Sequence, residues 1–173
     1  LLLSVITLAP VSAFAGDPVR IQIVDSVPVL DTFLVKIPVV SASASSTGGS
    51  GNASAAVDGS LSTRWESQFN IDPTTLTLDL GAAYSLNQTV IVWETANAAT
   101  YRIEGSNNNS SWTVLSTFSG GTFAPRTDTA AISGTYRYVR MNGLSRPEDN
   151  TYGYSIFEME VYGAAPITAD TDN

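Results

Sequence analysis

The sequence contains neither cysteine nor histidine. Without cysteine it can form no disulfide and no thiolate metal site. Without histidine it has no Ser-His-Asp or Cys-His catalytic system, no imidazole zinc site and no histidine proton switch. Charged residues make up only 14% of the chain, and the net charge is −8. This acidic balance disfavours nucleic acid and anionic lipid membranes as partners and suits a protein that holds a cation.

The length and apolar content predict a folded domain with short additional segments. The chain has 173 residues, of which 43% are hydrophobic, which is enough for a core without disulfides. Residues 1–15 are almost wholly apolar or small and end in Ala13-Phe14-Ala15, a small-x-small pattern before Gly16. This pattern is typical of the apolar part of a secretory signal, and a retained apolar segment is the alternative. We therefore expect a secreted, extracellular or cell-surface protein.

Residues 16–40 form a strand-rich N-terminal extension. Residues 19–24 alternate between apolar and polar side chains, and residues 33–40 are mostly apolar, so each is predicted to be a strand. The simpler interpretation is that these strands close the sheet of their own chain. The other is that one is donated to a neighbouring copy of the chain by strand addition.

The rest of the chain has the pattern of an all-β protein. A Ser/Ala/Gly-rich stretch, residues 41–51, precedes short segments in which apolar and polar residues alternate. Such segments predict antiparallel strands with one buried face, and together they predict a β-sandwich or jelly roll. The Asn/Ser-rich residues 106–111 are predicted to form a hairpin loop between two strands. The core-facing residues are predicted to be Leu76, Leu78, Leu80, Tyr101, Ile103, Phe157, Met159 and Val161, together with Trp65, Trp93 and Trp112.

Six motifs in order carry a resemblance to a known family. They lie at residues 55–65 (with Asp58-Gly59 and Thr63-Arg64-Trp65), 78–81, 93–106 with Trp112, 136–140, 152–155 and 158–163. Residues 41–163 thereby resemble discoidin, or coagulation factor 5/8 type C, domains, which include the family 32 carbohydrate-binding modules. The resemblance implies a discoidin-like jelly roll with the galactose-binding-domain-like fold, followed by a C-terminal tail over residues 164–173.

The resemblance also bears on the ligand. The motifs Trp93 to Ala98 and Tyr152 to Ser155 are most similar to those of modules attached to bacterial glucan-degrading enzymes. That subgroup tends to have tryptophan where this chain has Thr75, and it lacks the insertion at residues 147–151. The galactose-binding members use a histidine in the sugar site, and this chain has none. A glucan-type or other non-galactose glycan is therefore expected.

A calcium site is predicted around the Asp58-Gly59 turn. A hard cation takes six to eight oxygen ligands from carboxylates, hydroxyls and carbonyls. The turn supplies the Asp58 carboxylate, and the resemblance implies that a glutamate of the last strand completes a structural site. The alternative is a turn without metal, in which the carboxylate bonds backbone amides. The predicted Ca²⁺ ligands are Asp58, Ser60, Thr63, Glu158 and the carbonyl of Ala55.

A sugar site is predicted from aromatic and polar residues near strand ends. Aromatic faces stack against the C–H faces of sugars, and planar polar groups bond the hydroxyls. The predicted sugar-binding residues are Glu94, Asn97, Arg146, Tyr152 and Tyr154. The alternative is that a tyrosine belongs to the core and that Arg146 pairs with Glu148 or Asp149.

These features predict a non-catalytic carbohydrate-binding module whose partner is a glycan or polysaccharide. Nothing in the sequence marks the pair of carboxylates that a glycosidase needs, and the resembled domain is not catalytic. A second hypothesis is a structural subunit of an extracellular fibre or surface layer. In that case copies of the chain would assemble as a filament through the N-terminal strand or apolar segment.

Overall fold

The computed structural model describes residues 34–49 and 51–164 and shows an all-β protein, as predicted. The one helix in this part of the chain is a 3-10 turn, Ala53–Ala56, capped by Asn52, whose Oδ1 accepts the N–H of Ser54 at 3.1 Å. No described helix is long and apolar enough to cross a membrane. The strands are β1 (Leu34–Lys36), β2 (Ser41–Ala44), β3 (Trp65–Glu66), β4 (Thr74–Trp93), β5 (Thr100–Ser106), β6 (Thr113–Ser119), β7 (Arg126–Ser145) and β8 (Ser155–Ala164).

Two long strands, β4 and β7, run through both layers of the sandwich. The first half of β4 pairs with β2 and with the second half of β7, which pairs in turn with β5, and β6 lies at the edge beyond it. The second half of β4 lies between the first half of β7 and β8. All of these pairings are antiparallel. The ladder between β4 and β7 breaks between Asp79 and Tyr84, where Gly81 has φ +79°, a conformation that glycine adopts without strain.

The described part of the N-terminal extension adds a strand to its own domain. Strand β1 pairs with the end of β8, with Leu34 opposite Ala164. Ile37 is buried, and its N–H donates to the carbonyl of Val161 at 2.8 Å. Residues 34–37 therefore close this edge of their own sandwich. The predicted strand at residues 19–24, the signal-like residues 1–15 and the tail beyond residue 164 lie outside the described residues.

The core fills the space between the layers. Leu76, Leu78, Tyr101, Ile103, Met159 and Val161 are buried as their alternation predicts, and Trp65 and Trp93 are almost fully buried. Trp112 is a correction to the predicted core, because it is only half-buried and follows the hairpin loop. Its ring lies 4.0 Å from the guanidinium carbon of Arg140 and covers the ion pair between Arg140 and Glu104.

The last strand contains a bulge that the alternation did not reveal. Val92 is opposite Glu158, but the next residue, Trp93, is opposite Ile156. The extra residue changes which side chains of β8 point into the core. Ile156 is therefore fully buried and Phe157 only partly buried. The same shift leaves Glu158 buried against the turn at residues 58–60, where Gly59 and Ser60 donate to it.

A bidentate ion pair at the bend of β4 makes stability depend on pH. The guanidinium of Arg137 donates to both carboxylate oxygens of Asp79, at 2.8 and 2.9 Å. These hydrogen bonds are the main reason that the pKa of Asp79 lies below its ordinary value of 3.8. A carboxyl with a lowered folded-state pKa contributes stability that is present above its unfolded value and is lost as the pH falls through the folded value.

We therefore expect Asp79→Asn to lower Tm slightly at neutral pH, because the pair is partly exposed. The difference from wild type should shrink once the pH falls below about 3.8. Thermal melts of both proteins from neutral pH to pH about 2.5 measure this. A difference that stays constant over the whole range would contradict the assignment.

Candidate functional site

Four loops meet at one end of the sandwich and surround a cleft of about 440 Å³. They follow β3 (residues 67–73), join β4 to β5 (94–99), join β6 to β7 (120–125) and join β7 to β8 (146–154). Backbone hydrogen bonds connect neighbouring loops. The N–H of Ser155 donates to the carbonyl of Ala96 at 2.6 Å, and that of Gly121 donates to Ala99 at 3.1 Å. A cleft held by paired backbone groups is preorganised for a ligand.

Three aromatic rings line the cleft. Tyr152 lies at the centre, edge-on to Phe69 at 5.4 Å between ring centroids and nearly parallel to Phe123 at 6.2 Å. Phe69 is 57% exposed and Tyr152 is 50% exposed. Rings exposed to this degree on fixed loops provide an apolar surface for stacking against the ring face of a sugar.

Carboxylate and guanidinium groups supply the polar part of the wall. Glu94 lines the cleft, and its Oε2 accepts the N–H of Ala96 at 2.8 Å, which fixes the carboxylate. Opposite the loop that carries Glu94, Arg64 and Glu66 form an ion pair with Nε of Arg64 donating to Oε1 of Glu66 at 2.8 Å. A carboxylate offers about four lone-pair sites, so both acids retain capacity to accept from a ligand.

Arg146 and Tyr154 hold two of the loops together. The Arg146 side chain is only 14% exposed and donates to Asp72 at 3.1 Å, to Asn70 Oδ1 at 3.0 Å and to the carbonyl of Tyr152 at 2.8 Å. Tyr154 is fully buried, and its hydroxyl donates to Asp72. Burial is the main reason that the pKa of Tyr154 is raised, so it stays a neutral donor. The predicted alternative partners of Arg146, Glu148 and Asp149, are not the ones it pairs with.

Asn97 connects the loop of residues 94–99 to the loop of residues 120–125. It is fully buried, and its Nδ2 donates to the carbonyls of Thr122 at 2.8 Å and Ala124 at 2.7 Å. Its Oδ1 accepts from Arg126. Every polar atom of the side chain is thus occupied within the protein.

The structure brings all five predicted sugar-site residues to one end of the sandwich but gives them different places. Glu94, Tyr152 and one side of Tyr154 line the cleft. Asn97 and Arg146 are corrections to the prediction of direct sugar contact, because neither lines the cleft: both polar atoms of Asn97 are bonded within the protein, and Nε and Nη1 of Arg146 bond the surrounding loops. Their contribution is to position the loops.

Four charged or aromatic residues of the cleft were not predicted from the sequence. These are Arg64, Glu66, Phe69 and Phe123. Arg64 and Glu66 flank the buried Trp65; Arg64 was noted only as part of a family motif, and Glu66 follows that motif. Phe69 and Phe123 offered a usable signal, because each is an isolated aromatic residue in a polar or glycine-containing loop rather than in an alternating strand.

The predicted cation ligands come together at the turn after the 3-10 helix. Asp58 accepts from the N–H of Ser60 at 2.9 Å and from the hydroxyl of Thr63 at 2.7 Å. Glu158 Oε1 accepts from the N–H groups of Gly59 at 2.7 Å and Ser60 at 3.1 Å. The hydroxyl of Thr63 is the main cause of a lowered Asp58 pKa, whereas burial raises the pKa of Glu158. Ala55 lies in the 3-10 helix, which packs against β8.

This arrangement meets the requirements of a hard cation in part. Glu158 Oε2 is buried and finds no hydrogen-bond partner among the described residues, which is costly unless something binds it. Only two carboxylates face each other, and the described residues hold no cluster of three or more acidic side chains. Hydroxyl and backbone oxygens of Ser60 and Thr63 lie in the same turn and would have to complete the ligand set.

Fold and site together define a β-sandwich binding module with its cleft in the loops at one end. Residues 41–159 match the F5/8 type C domain, and the chain belongs to this family. Chitosan-binding module 1 of a chitosanase/glucanase from Paenibacillus sp. IK-5 is 38% identical, with a TM-score of 0.65 over 71% of this chain and 94% of that one. Module 2 of the same enzyme, solved with chitotriose, is 32% identical, with a TM-score of 0.65 over 71% of this chain and 95% of that one.

A more distant neighbour has a different ligand. The family 32 carbohydrate-binding module of NanJ from Clostridium perfringens, solved with galactose, is 26% identical, with a TM-score of 0.61 over 75% of this chain and 99% of that one. No curated protein sequence matches the chain. The resemblance read from the six motifs is therefore confirmed, and so is the discoidin-like fold.

Proposed function

We propose that this protein is an extracellular, non-catalytic glycan-binding module whose ligand is a glucan-type chain that carries free amino groups. The observation that carries the proposal is a cleft in which three exposed or half-exposed aromatic rings face Glu94 and the pair of Arg64 and Glu66. The rings take the apolar faces of the sugars, and the polar groups take their hydroxyls and amines.

Charge distinguishes an amino glycan from a neutral one. The chain carries −8, and two carboxylates line the cleft, so a protonated amine is attracted to the site while an acidic polysaccharide is repelled. Two relatives above 30% identity are chitosan-binding modules, which supports the same class. Galactose is disfavoured because the chain has no histidine.

Binding to glycans of matched chain length tests the class. Calorimetric titrations with glucosamine, N-acetylglucosamine, glucose and galactose oligomers are expected to give the highest affinity for the glucosamine series. That preference should weaken with added salt, because salt screens exposed charges. Glu94→Gln keeps the size of the side chain and removes the charge, so it should reduce the preference for glucosamine. Preferential binding of galactose, or no binding of any glycan, would overturn the proposal.

We expect the protein to leave the glycan that it binds uncleaved. Prolonged incubation of the protein with the oligomer it binds best should leave the chain length unchanged by mass spectrometry. Shorter products that disappear in Glu94→Gln would show an enzyme instead.

We also propose that Ca²⁺ binds at the turn of residues 58–63, held by Asp58, Glu158, Thr63 and backbone oxygens of Ser60 and Ala55. The buried and unpartnered Oε2 of Glu158 supports this assignment. The ion would neutralise the two facing carboxylates and fix the loop that leads into β3. Its role is structural, since these residues do not include the aromatic rings or Glu94.

Chelation is expected to destabilise the protein. A ligand that binds only the folded state, at about a hundred times its dissociation constant, adds about 2.7 kcal/mol. EDTA should therefore lower Tm by roughly 5–10 °C, and added calcium should restore it. Asp58→Asn should show a smaller response, with Asp149→Asn as a matched exposed control. An unchanged Tm with EDTA would mean that the turn holds no metal.

A further inference from the structure

A second hollow adjoins the aromatic cleft. It has a volume of about 230 Å³ and is lined by Gly51, Ala55, Ser62, Thr63, Arg64 and Glu66. Arg64 and Glu66 also line the aromatic cleft, so the two spaces lie on either side of one ion pair. The hollow has about half the volume of the cleft, which is the scale of one further sugar residue.

The ion pair between the two spaces can form hydrogen bonds to ligand groups on either side of it. Arg64 uses Nε and Nη2 to contact Glu66, and within the described part of the chain no protein acceptor is found for Nη1. The Arg64 side chain is 44% exposed and that of Glu66 is 23% exposed, so both can be reached by a ligand. A planar guanidinium beside a carboxylate presents donors and acceptors in fixed directions, as sugar hydroxyls require.

The floor of the hollow is rigid. At Gly51 a side chain would place its Cβ only 2.1 Å from the carbonyl oxygen of Arg64, so the two backbones are in direct contact. Ser62 and Thr63 contribute hydroxyl-bearing residues to the wall, which makes the hollow polar rather than apolar. Of the proposed calcium ligands, Ala55 and Thr63 line the hollow, whereas the carboxylates of Asp58 and Glu158 do not.

We propose that this hollow is a subsite for the next sugar residue of the same glycan, with Arg64 and Glu66 bonding the linkage between the two units. The inference rests on the proposed function, because it takes a glycan in the aromatic cleft as its starting point. With this subsite the module binds a segment of several linked sugars rather than a single sugar. Longer oligomers therefore bind more tightly until both spaces are filled.

A variant that fills the hollow tests the subsite without changing the aromatic cleft. Ser62→Leu places a larger apolar group in the hollow and changes none of the proposed calcium ligands. In wild type we expect a glucosamine pentamer to bind about tenfold more tightly than the dimer. In Ser62→Leu the dimer should bind as in wild type and the gain on lengthening should disappear. Thr117→Leu on β6, at the other edge of the fold, is the matched control and should keep the full gain.

Two further measurements guard against a variant that does not fold. Ser62→Met, with a flexible side chain of similar volume, should behave as Ser62→Leu does. In wild-type protein, the amide NMR signals of Gly51 and Ser62 should shift with the pentamer and not with the dimer.

The outcomes separate the two proposals. An equal gain on lengthening in wild type and in both Ser62 variants, or no gain in wild type, overturns the subsite and leaves the glycan-binding function standing. No binding of dimer or pentamer overturns the proposed function as well.

Discussion

Tyr152→Ala is expected to lower the affinity for the glycan about thirtyfold, which corresponds to about 2 kcal/mol. Tyr152 is the central ring of the cleft, packed against Phe69 on one side and facing Phe123 on the other. Its removal takes away its own stacking surface and also the contact that holds Phe69 in place. Because the ring is half-exposed, the same change should leave the free energy of unfolding within about 0.5 kcal/mol of wild type.

Matched variants show whether the ring itself is responsible. Tyr152→Phe keeps the ring and should bind within about twofold of wild type, since stacking needs the face and not the hydroxyl. Phe69→Ala should lose less than Tyr152→Ala, because it removes only one flank. Val114→Ala, an equally exposed apolar residue on β6, serves as the remote control. Titrations with one glucosamine oligomer measure all four, and full affinity in Tyr152→Ala would place the ligand elsewhere.

Asp128→Ala is expected to cost about 3 kcal/mol of stability, or roughly 10 °C in Tm. The carboxylate accepts from three residues at once: Trp93 Nε1 at 2.9 Å, Tyr101 hydroxyl at 3.0 Å and Arg126 Nε at 2.9 Å. The side chains of Arg126 and Asp128 are only 18% and 10% exposed. Removing the acceptor therefore leaves a largely buried cation and two polar donors without their partner.

The same substitution should weaken glycan binding. Arg126 also donates to Asn97 and to the carbonyl of Ala98 at 2.7 Å, and Asn97 ties together two of the loops around the cleft. Urea denaturation and calorimetric titration of Asp128→Ala measure the two effects. Asp128→Asn keeps the size and one acceptor and should lie between wild type and alanine. Thr129→Ala, the exposed neighbour, should match wild type, and a stable Asp128→Ala would show that the network contributes little.

Most of the fold follows from local patterns. The alternation of Leu76 with Leu78, and of Tyr101 with Ile103, reports directly which face of a strand is buried, and the Asn/Ser-rich residues 106–111 form the predicted hairpin loop. The bulge at Phe157 was not predictable in this way, because it depends on how β8 is paired with β4. Trp112 was misassigned for a related reason, since it covers an ion pair formed by two other strands.

The candidate site was predictable in position but not in detail. The loops that carry Glu94 and Tyr152 could be identified from their motifs, and they do meet at one end. Whether a polar side chain faces solvent or bonds the loop behind it is decided by partners distant in sequence. Arg146 bonds Asp72 and Asn97 bonds Ala124, and no spacing within either motif encodes those contacts.

The pairing of Leu34 with Ala164 places both ends of the described chain far from the cleft. Strand β8 starts at Ser155, in the wall of the cleft, and ends nine residues later beside the start of β1. Nine steps along a strand span about 30 Å, so the described part of the chain begins and ends at the same pole, away from the cleft. A tether fixed at that pole therefore leaves the cleft facing outward.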